Sequence, residues 1–196
     1  EDMIKIIAKY DNIMPAIHLP VQSGNNEVLK LMGRRYSREQ YLELFHKIKE
    51  RMPECAISTD IIVGFPNESE GQFQHTLDLV KECQFDNAFT FIYSPREGTP
   101  AARMADSVSL EVKQRRLAEL NACWNQYAHV KNEAYLGKVV KVLVDGASKK
   151  KANVWSGYTE TNKLVNFTGE HVTAGDIVKV KITACKTFSL DGEQIL

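Results

Sequence analysis

The chain has 196 residues, of which 43% are hydrophobic and 26% are charged, and its formal net charge is zero. This length allows one large domain, or a medium domain with a small one. The composition is typical of a soluble globular protein, and no apolar run approaches a membrane span, so we expect no membrane association. Charge is unevenly distributed, because residues 137–196 hold nine lysines against six acidic residues. This weak basic excess favours an acidic partner for the last part of the chain.

The cysteine pattern excludes a compact metal site or a redox motif. The four cysteines are separated by 28, 40 and 62 residues, which predicts reduced thiols and a cytoplasmic location. The first ten residues, EDMIKIIAKY, lack the features of a signal peptide. They read as the middle of a helix, so we expect the chain to be the C-terminal part of a longer protein.

The first 136 residues alternate strand and helix patterns. Apolar runs predict strands over 16–21, 56–63 and 88–93. Capping-box patterns at Ser37 and Ser69 predict the starts of two helices. Ser109 begins a longer helix that ends at Gly137, with an apolar face formed by Leu117, Leu120, Trp124 and Tyr127. This order predicts an α/β fold with parallel strands and right-handed crossovers, a partial (βα) barrel.

Each predicted strand ends in a polar loop. These loops, called the rim loops, contain residues 22–24, 64–68 and 94–99. Ligands bind just beyond the carboxyl ends of parallel strands in such sheets and barrels. We therefore expect the rim loops to form a functional site.

The pattern changes after Gly137 to short strands separated by Gly, Asn and Asp. Five such runs cover residues 139–144, 152–156, 163–167, 177–182 and 193–196. They predict a small all-β barrel of the OB or SH3-like kind. The expected domains are therefore residues 1–136 and residues 137–196.

The first rim loop offers candidate binding residues with two interpretations. Gln22 and Ser23 either donate hydrogen bonds to a ligand or cap the short helix that follows. Arg34 and Arg35 follow the expected helix C-cap at Gly33. They either complement the helix dipole, or one of them binds a carboxylate through its planar guanidinium.

The other rim loops also leave alternatives open. Asp60 lies in an apolar strand, so it is either paired with Arg or Lys or faces a polar interior. Gly64 allows a close backbone approach, and Glu68 precedes a helix start, where a carboxylate complements the dipole. Arg96 is either a plain surface residue or a ligand contact, and its Gly and Pro neighbours favour a rigid loop. The five histidines have no metal-binding spacing.

Basic and aromatic residues are interleaved in the C-terminal module. Such a pattern fits RNA backbone contacts and base stacking, whereas the alternative is a solvated lysine loop with core aromatics. The residues concerned are Lys149, Lys150, Lys151, Trp155, Tyr158, Lys163 and Phe167.

Three motifs together resemble the radical-SAM methylthiotransferases. They are HLPVQSG with a downstream Met32, Arg34 and Tyr36, then TDIIVGFPNES over 59–69, and YSPREGTPAA over 93–102. The C-terminal barrel resembles the TRAM module that these enzymes carry for RNA. Residues 161–167, which include Asn162 and Asn166, are similar to the tRNA-modifying branch.

This resemblance implies S-adenosylmethionine as a cofactor and tRNA, through its anticodon stem-loop, as the substrate. It also implies [4Fe–4S] clusters and an electron donor protein. The implied reaction adds a methylthio group to carbon 2 of isopentenyladenosine beside the anticodon. By motif match, the cofactor would be bound by Gln22, Ser23, Arg34, Asp60, Gly64, Phe65 and Arg96. Of these, Arg34 would take the methionine carboxylate.

The sequence departs from the family in lacking the CxxxCxxC motif that holds the cluster. The cluster ligands are therefore expected in an upstream part, and the fragment alone is expected to be inactive. Two alternatives stay open: an enzyme that modifies an aspartate of a ribosomal protein, and a non-catalytic RNA-binding fragment. An ordinary nucleotide-binding enzyme is disfavoured because no GxGxxG or P-loop motif is present.

Overall fold

The computed structural model describes residues 2–148 and 153–195. The chain forms two compact units, one of residues 17–53 and 57–125, the other of residues 1–16, 54–56 and 126–196.

Helices and strands alternate through the first two thirds of the chain, as predicted. Their bounds are α1 (Asp2–Lys9), β1 (Ala16–His18), α2 (Asn26–Leu31), α3 (Arg38–Arg51), β2 (Ala56–Val63), α4 (Glu70–Cys83), β3 (Asn87–Ile92), a short 3-10 helix (Pro100–Arg103) and α5 (Leu110–Glu133). The strands form a sheet in the order β1-β2-β3, and β2 pairs with β3 in parallel. The α/β prediction is therefore confirmed.

Local capping chemistry fixes the starts of α3 and α4. Ser37 accepts a hydrogen bond from the Gln40 amide, and the Gln40 side chain accepts one from the Ser37 amide. Ser69 and Gln72 make the same reciprocal pair. Both predicted capping boxes are present, because the pattern is complete within four residues.

The sheet has one covered face and one open face. Alternate residues of β2, including Ile57, Ile61 and Val63, are completely buried. On the covered face, the Thr90 hydroxyl donates to the Asn121 side chain of α5 at 2.7 Å. The open face carries Phe89, whose side chain is 49% exposed.

The C-terminal strands close into a barrel. They are β4 (Val139–Ala147), β5 (Val154–Thr159), β6 (Leu164–Thr168), β7 (Ile177–Cys185) and β8 (Leu190–Ile195). Their order around the barrel is β4-β5-β6-β8-β7. β6 and β8 are parallel, and the other pairs are antiparallel. This arrangement is the OB-like one of the two predicted alternatives.

Within the described ranges, no helix combines the length and the apolar character that crossing a membrane would require.

Gly24, in the loop after β1, packs against the middle of α4. A Cβ built on Gly24 would lie 2.4 Å from the His75 carbonyl oxygen and 2.6 Å from the Thr76 Cα. The Gly24 amide also donates to the Thr76 hydroxyl at 2.9 Å. The nearest atoms all belong to the backbone of α4, so the movement of a side chain cannot make room for a methyl group.

We expect Gly24→Ala to lower the free energy of unfolding by about 1–3 kcal/mol, because the methyl group overpacks a backbone contact. Gly71→Ala is the matched control, since a Cβ there meets nothing within 4 Å. Alanine at that helical position should be neutral or stabilising by up to about 1 kcal/mol. Urea unfolding of both variants tests this, and equal midpoints would contradict it.

Candidate functional site

The first rim loop is attached to the neighbouring strand through Gln22. Its amide donates to the Asp60 carbonyl at 2.8 Å, and its carbonyl accepts from the Ile62 amide at 2.9 Å. Gln22 has a φ of +68° and is buried. A left-handed backbone at a residue other than Gly is uncommon and marks a constrained turn. The loop after β1 therefore has a fixed position beside β2.

Ser23 is completely buried. Its hydroxyl lies 3.5 Å from the Thr76 hydroxyl and accepts from the Asn25 amide at 3.3 Å. The N-cap of α2 is Asn25, whose side chain accepts from the Glu27 and Val28 amides, so the predicted capping role of Ser23 was wrong. Its contact with a ligand stays a prediction.

Arg34 is exposed and lies close to a tyrosine that anchors the first rim loop. The Tyr36 hydroxyl donates to the carbonyls of Pro20 and Val21, each at 3.2 Å. Burial raises the pKa of Tyr36, and the nearby positive charge of Arg34 opposes that rise. The C-cap of α2 is Met32 and not Gly33 as predicted; Gly33 follows it with a φ of +72°, the left-handed conformation that favours glycine after a helix. The Arg-x-Tyr motif thus places an exposed guanidinium next to the loop.

A buried ion pair holds the second rim loop. The Gly64 amide donates to Glu68 Oε2 at 2.8 Å, and Arg116 Nη1 donates to the same oxygen at 2.9 Å. Arg116 also donates to the Glu68 carbonyl at 2.9 Å. The two side chains are 1% and 4% exposed. Arg116 therefore fixes this loop to α5 through the carboxylate and the carbonyl of Glu68, and the Gly64 amide closes the loop on the same carboxylate.

The role of Glu68 differs from the expectation of a carboxylate that complements a helix dipole. Burial raises its pKa, against the opposing effects of the Gly64 amide and the Arg116 charge. Sequence reasoning missed Arg116 altogether. A signal was available, since Arg116 stands four residues before Leu120, on the helix face predicted to be apolar. A charged residue at such a position requires a buried partner.

Gly64 does allow a close approach, but the approaching group is a side chain of α5. A Cβ on Gly64 would lie 2.4 Å from Lys113 Cγ. Asp106 pairs with the Lys113 ammonium, which lies 5.7 Å from the centre of the Tyr93 ring. Phe65 packs edge-to-face on the same ring at 5.0 Å and is 3% exposed. Phe65 therefore belongs to the packing beneath the rim, and its contact with a ligand stays a prediction.

The partner of Asp60 is a histidine, and not the lysine or arginine that the sequence suggested. Asp60 Oδ2 lies 3.4 Å from His18 Nε2, and His18 Nδ1 lies 3.0 Å from the Ser58 hydroxyl. The His18 ring meets Phe89 edge-on at 6.0 Å. The cluster forms on the open face because His18 comes from the adjacent strand, 42 residues away.

The third rim loop presents Arg96. Its side chain is exposed, and its carbonyl accepts from the Thr99 hydroxyl at 2.7 Å and the Thr99 amide at 3.2 Å. These bonds support the predicted rigidity of the loop. The Tyr93 amide donates to the Val63 carbonyl at 2.9 Å, so the second and third rim loops start side by side.

In the barrel, the three predicted aromatic residues differ in position. Phe167 is 1% exposed in the core, and Trp155 packs against that core. These positions favour the core-aromatic alternative for Phe167 and Trp155, whose contact with RNA stays a prediction. Tyr158 is 40% exposed. Its parity in β5 is opposite to that of Trp155, so it lies on the outer surface.

The predicted polar RNA-binding residues lie in different parts of the barrel. Lys163 is buried, with 8% exposure, and its amide donates to the Thr159 hydroxyl at 3.0 Å. Asn162 lies in the preceding turn with a φ of +59°. Asn166 lines a cleft on the barrel. Residues 149–151, the three consecutive lysines, lie outside the described residues.

The cysteines do not form a cluster site in this chain. Cys55 and Cys83 are buried and Cys123 and Cys185 are half-buried, and none of these four forms a disulfide. Among the residues that the structure describes, no three His, Cys, Asp or Glu side chains are grouped to hold a metal. The described residues therefore do not fit an iron–sulfur cluster.

We expect Arg116→Ala to lower the free energy of unfolding by about 3–5 kcal/mol, because it leaves Glu68 buried without a counter-charge. Without the guanidinium, the folded-state pKa of Glu68 rises further above its unfolded value. Stability from a raised carboxyl pKa is present at low pH and lost as the pH rises through that folded pKa. The loss relative to the unmodified chain should therefore be larger at about pH 8 than at about pH 5.

Urea unfolding at the two pH values measures this difference. Arg115→Ala is the control, because its exposed ion pair with Glu70 is worth at most about 1 kcal/mol. An equal loss at both pH values for Arg116→Ala would contradict the role assigned to the buried pair.

Comparison with known proteins identifies both parts of the chain. The radical SAM superfamily model matches residues 1–80, and the TRAM domain model matches residues 133–195. The chain is 56% identical over 195 residues to the tRNA-2-methylthio-N(6)-dimethylallyladenosine synthase of Halalkalibacterium halodurans, covering 100% of the chain and 36% of that protein. It is also 56% identical over 193 residues to the protein of the same name from Bacillus subtilis, covering 98% of the chain and 38% of the relative.

The chain thus spans little more than a third of the length of these curated relatives. Its match to them is continuous and includes all three rim motifs and the barrel. The chain therefore combines a segment that matches the radical SAM superfamily with a segment that matches the TRAM domain, and along its whole length it is similar to tRNA-2-methylthio-N(6)-dimethylallyladenosine synthases.

Proposed function

We propose that the protein containing this chain adds a methylthio group to carbon 2 of isopentenyladenosine beside the anticodon of tRNA. The observation that carries the proposal is the 56% identity along the whole chain to proteins named tRNA-2-methylthio-N(6)-dimethylallyladenosine synthase. Those names favour the tRNA branch over the enzymes that modify a ribosomal protein. The TRAM match at residues 133–195 supports an RNA substrate as well. The protein would act in the cytoplasm with an electron donor protein.

In this proposal, S-adenosylmethionine binds at the rim loops. When bound, the cofactor supplies the methyl group and, with an iron–sulfur cluster held outside this chain, the radical chemistry. The residues of this chain bind and orient it. Arg34 receives the carboxylate, since it is exposed beside the Tyr36 anchor and can form two parallel hydrogen bonds. Arg96, exposed on the third rim loop, supplies a second positive charge.

The buried residues of the rim act indirectly. Gln22 is held against β2, and Gly64 is held by Glu68 and Lys113. Preorganised loops lose little conformational entropy when a ligand binds. We therefore assign them to the shape of the site, with Arg34 as the main polar contact.

We expect Arg34→Ala to weaken S-adenosylmethionine binding by the full-length protein about 10- to 100-fold, as for loss of a hydrogen bond to a charged group. Arg34→Lys should also weaken binding, because lysine cannot form the bidentate contact. Arg35→Ala is the matched control, since Arg35 is the adjacent exposed arginine. Equilibrium dialysis with radiolabelled cofactor measures the three affinities. An equal loss of affinity for Arg34→Ala and Arg35→Ala would mean that positive charge in this region, and not a specific contact by Arg34, supports binding.

We expect the 196-residue chain to bind an isopentenylated anticodon stem-loop in a salt-dependent way. Replacing Lys149, Lys150 and Lys151 by alanine should reduce the slope of log K against log salt by about 2, because each phosphate contact contributes about 0.7–0.9. Replacing Lys5, Lys47 and Lys81, which are exposed outside the barrel, is the charge-matched control. Filter binding across a salt series measures both slopes. Binding to ribosomal protein without binding to RNA would contradict the tRNA proposal.

A further inference from the structure

One side of the barrel carries a strip of exposed side chains that runs across β4, β5 and β7. Along β4 and β7, apolar residues that pack in the core alternate with residues that face outward, as the period of a strand requires. We call the outward surface the β4–β7 face. Its members are Lys141, Leu143, Tyr158, Ile177, Lys179 and Lys181.

Two lysines lie directly opposite each other on the β4–β7 face. Lys141 of β4 is the register partner of Lys179 of β7, and like charges placed opposite each other in a sheet are destabilising. Lys141 lies 3.4 Å from Glu160, and an exposed ion pair of this kind contributes little. Lys179 forms no ion pair among the residues that the structure describes. A bound anion would therefore relieve the repulsion between the two ammonium groups.

A third lysine extends the positive charge along β7. Lys181 follows Lys179 by two residues, so its side chain leaves the same side of the strand, about 7 Å further along. Its register partner on β8 is Glu193, so an acidic residue borders the face at this edge. The face thus presents three ammonium groups with a carboxylate at either edge, and the charge at its centre is positive.

An apolar row crosses the face beside the opposed lysines. Leu143 of β4 pairs in register with Ile177 of β7 on one side and with Tyr158 of β5 on the other. Leu143 and Ile177 are 50% and 70% exposed, and Tyr158 is exposed as well. An exposed aromatic ring offers a nucleobase a surface for stacking. The row therefore supplies apolar contacts next to the groups that suit phosphates.

We propose that the β4–β7 face binds an unpaired segment of the RNA, with its phosphates on the three lysines and a base stacked on Tyr158. Positive charge along a strip beside an aromatic ring is the combination that binds single-stranded nucleic acid. A protein partner is disfavoured, because lysine is depleted in protein–protein interfaces. The inference rests on the proposed function, and it assigns three lysines that the sequence analysis did not single out.

The first test measures binding of the 196-residue chain to an anticodon stem-loop by fluorescence anisotropy across a salt series. Lys141→Thr combined with Lys179→Thr should reduce the slope of log K against log salt by about 1.4–1.8, because each lost phosphate contact contributes about 0.7–0.9. Threonine suits an exposed strand position. Removing the opposed charges should leave the thermal midpoint unchanged or raise it, which separates loss of binding from loss of folding.

The charge-matched control is Lys47→Ala combined with Lys81→Ala, because these exposed lysines lie on α3 and α4. It should leave the slope unchanged. An equal fall in slope for the control and the β4–β7 pair would mean that general charge, and not this face, binds the RNA, and would overturn the inference.

The second test addresses the aromatic ring. We expect Tyr158→Ala to weaken binding of the same stem-loop about 5- to 100-fold, as for loss of one stacked base. Tyr158→Phe should bind within about threefold of the unmodified chain, because it keeps the aromatic face. Tyr10→Ala is the matched control, since Tyr10 is an exposed tyrosine outside the barrel, and its affinity should be unchanged.

The outcomes distinguish this inference from the proposed function. Unchanged slope and affinity for the β4–β7 variants, with the unmodified chain binding normally, overturn the inference and leave the proposed function standing. The same result with an altered sedimentation coefficient assigns the face to protein contact and also overturns it. If the 196-residue chain does not bind the stem-loop, the inference is wrong, and if the full-length protein also fails to bind it, the proposed function is wrong as well.

Discussion

The ion pair between Glu68 and Arg116 is the constraint on which the rim depends. Two opposite charges that are buried away from water stabilise each other, because removing either one leaves the other buried without a counter-charge, which costs several kcal/mol of stability. Here the carboxylate also receives the Gly64 amide, so the pair fixes the backbone of the second rim loop. Lys113, one helical turn earlier on α5, packs against Gly64. The shape of the rim is consequently set by a helix that follows all three strands, and not by the strands alone.

Features that a few neighbouring residues determine could be predicted from the sequence. Ser37 and Ser69 carry complete capping boxes, and the alternation of apolar runs gave the parallel α/β order. The partners of Glu68 and Asp60 could not be predicted from local patterns, because they lie 48 and 42 residues away in the chain and come close only through tertiary packing. For Arg116 the helical spacing held a usable signal. The sequence around His18 contained no signal that its side chain would lie against a carboxylate and not simply at the surface.

The barrel illustrates a second limit of sequence reasoning. Basic residues interleaved with aromatics indicated an RNA surface, but strand alternation assigns those aromatics to opposite sides. Trp155 and Tyr158 are three residues apart, so only one of them can face outward, and Phe167 completes the core. This parity was readable from the sequence once the strand bounds were fixed.

The position of β8 in the barrel also governs when the domain can form. β8 is inserted between β6 and β7, and it pairs in parallel with the first and antiparallel with the second. During synthesis on the ribosome, β4 to β7 can associate while two strand edges remain unpaired. Such edges invite pairing with other chains. The barrel can close only when residues 190–195 have been made, so the edges of β6 and β7 that β8 covers stay open to such pairing until then.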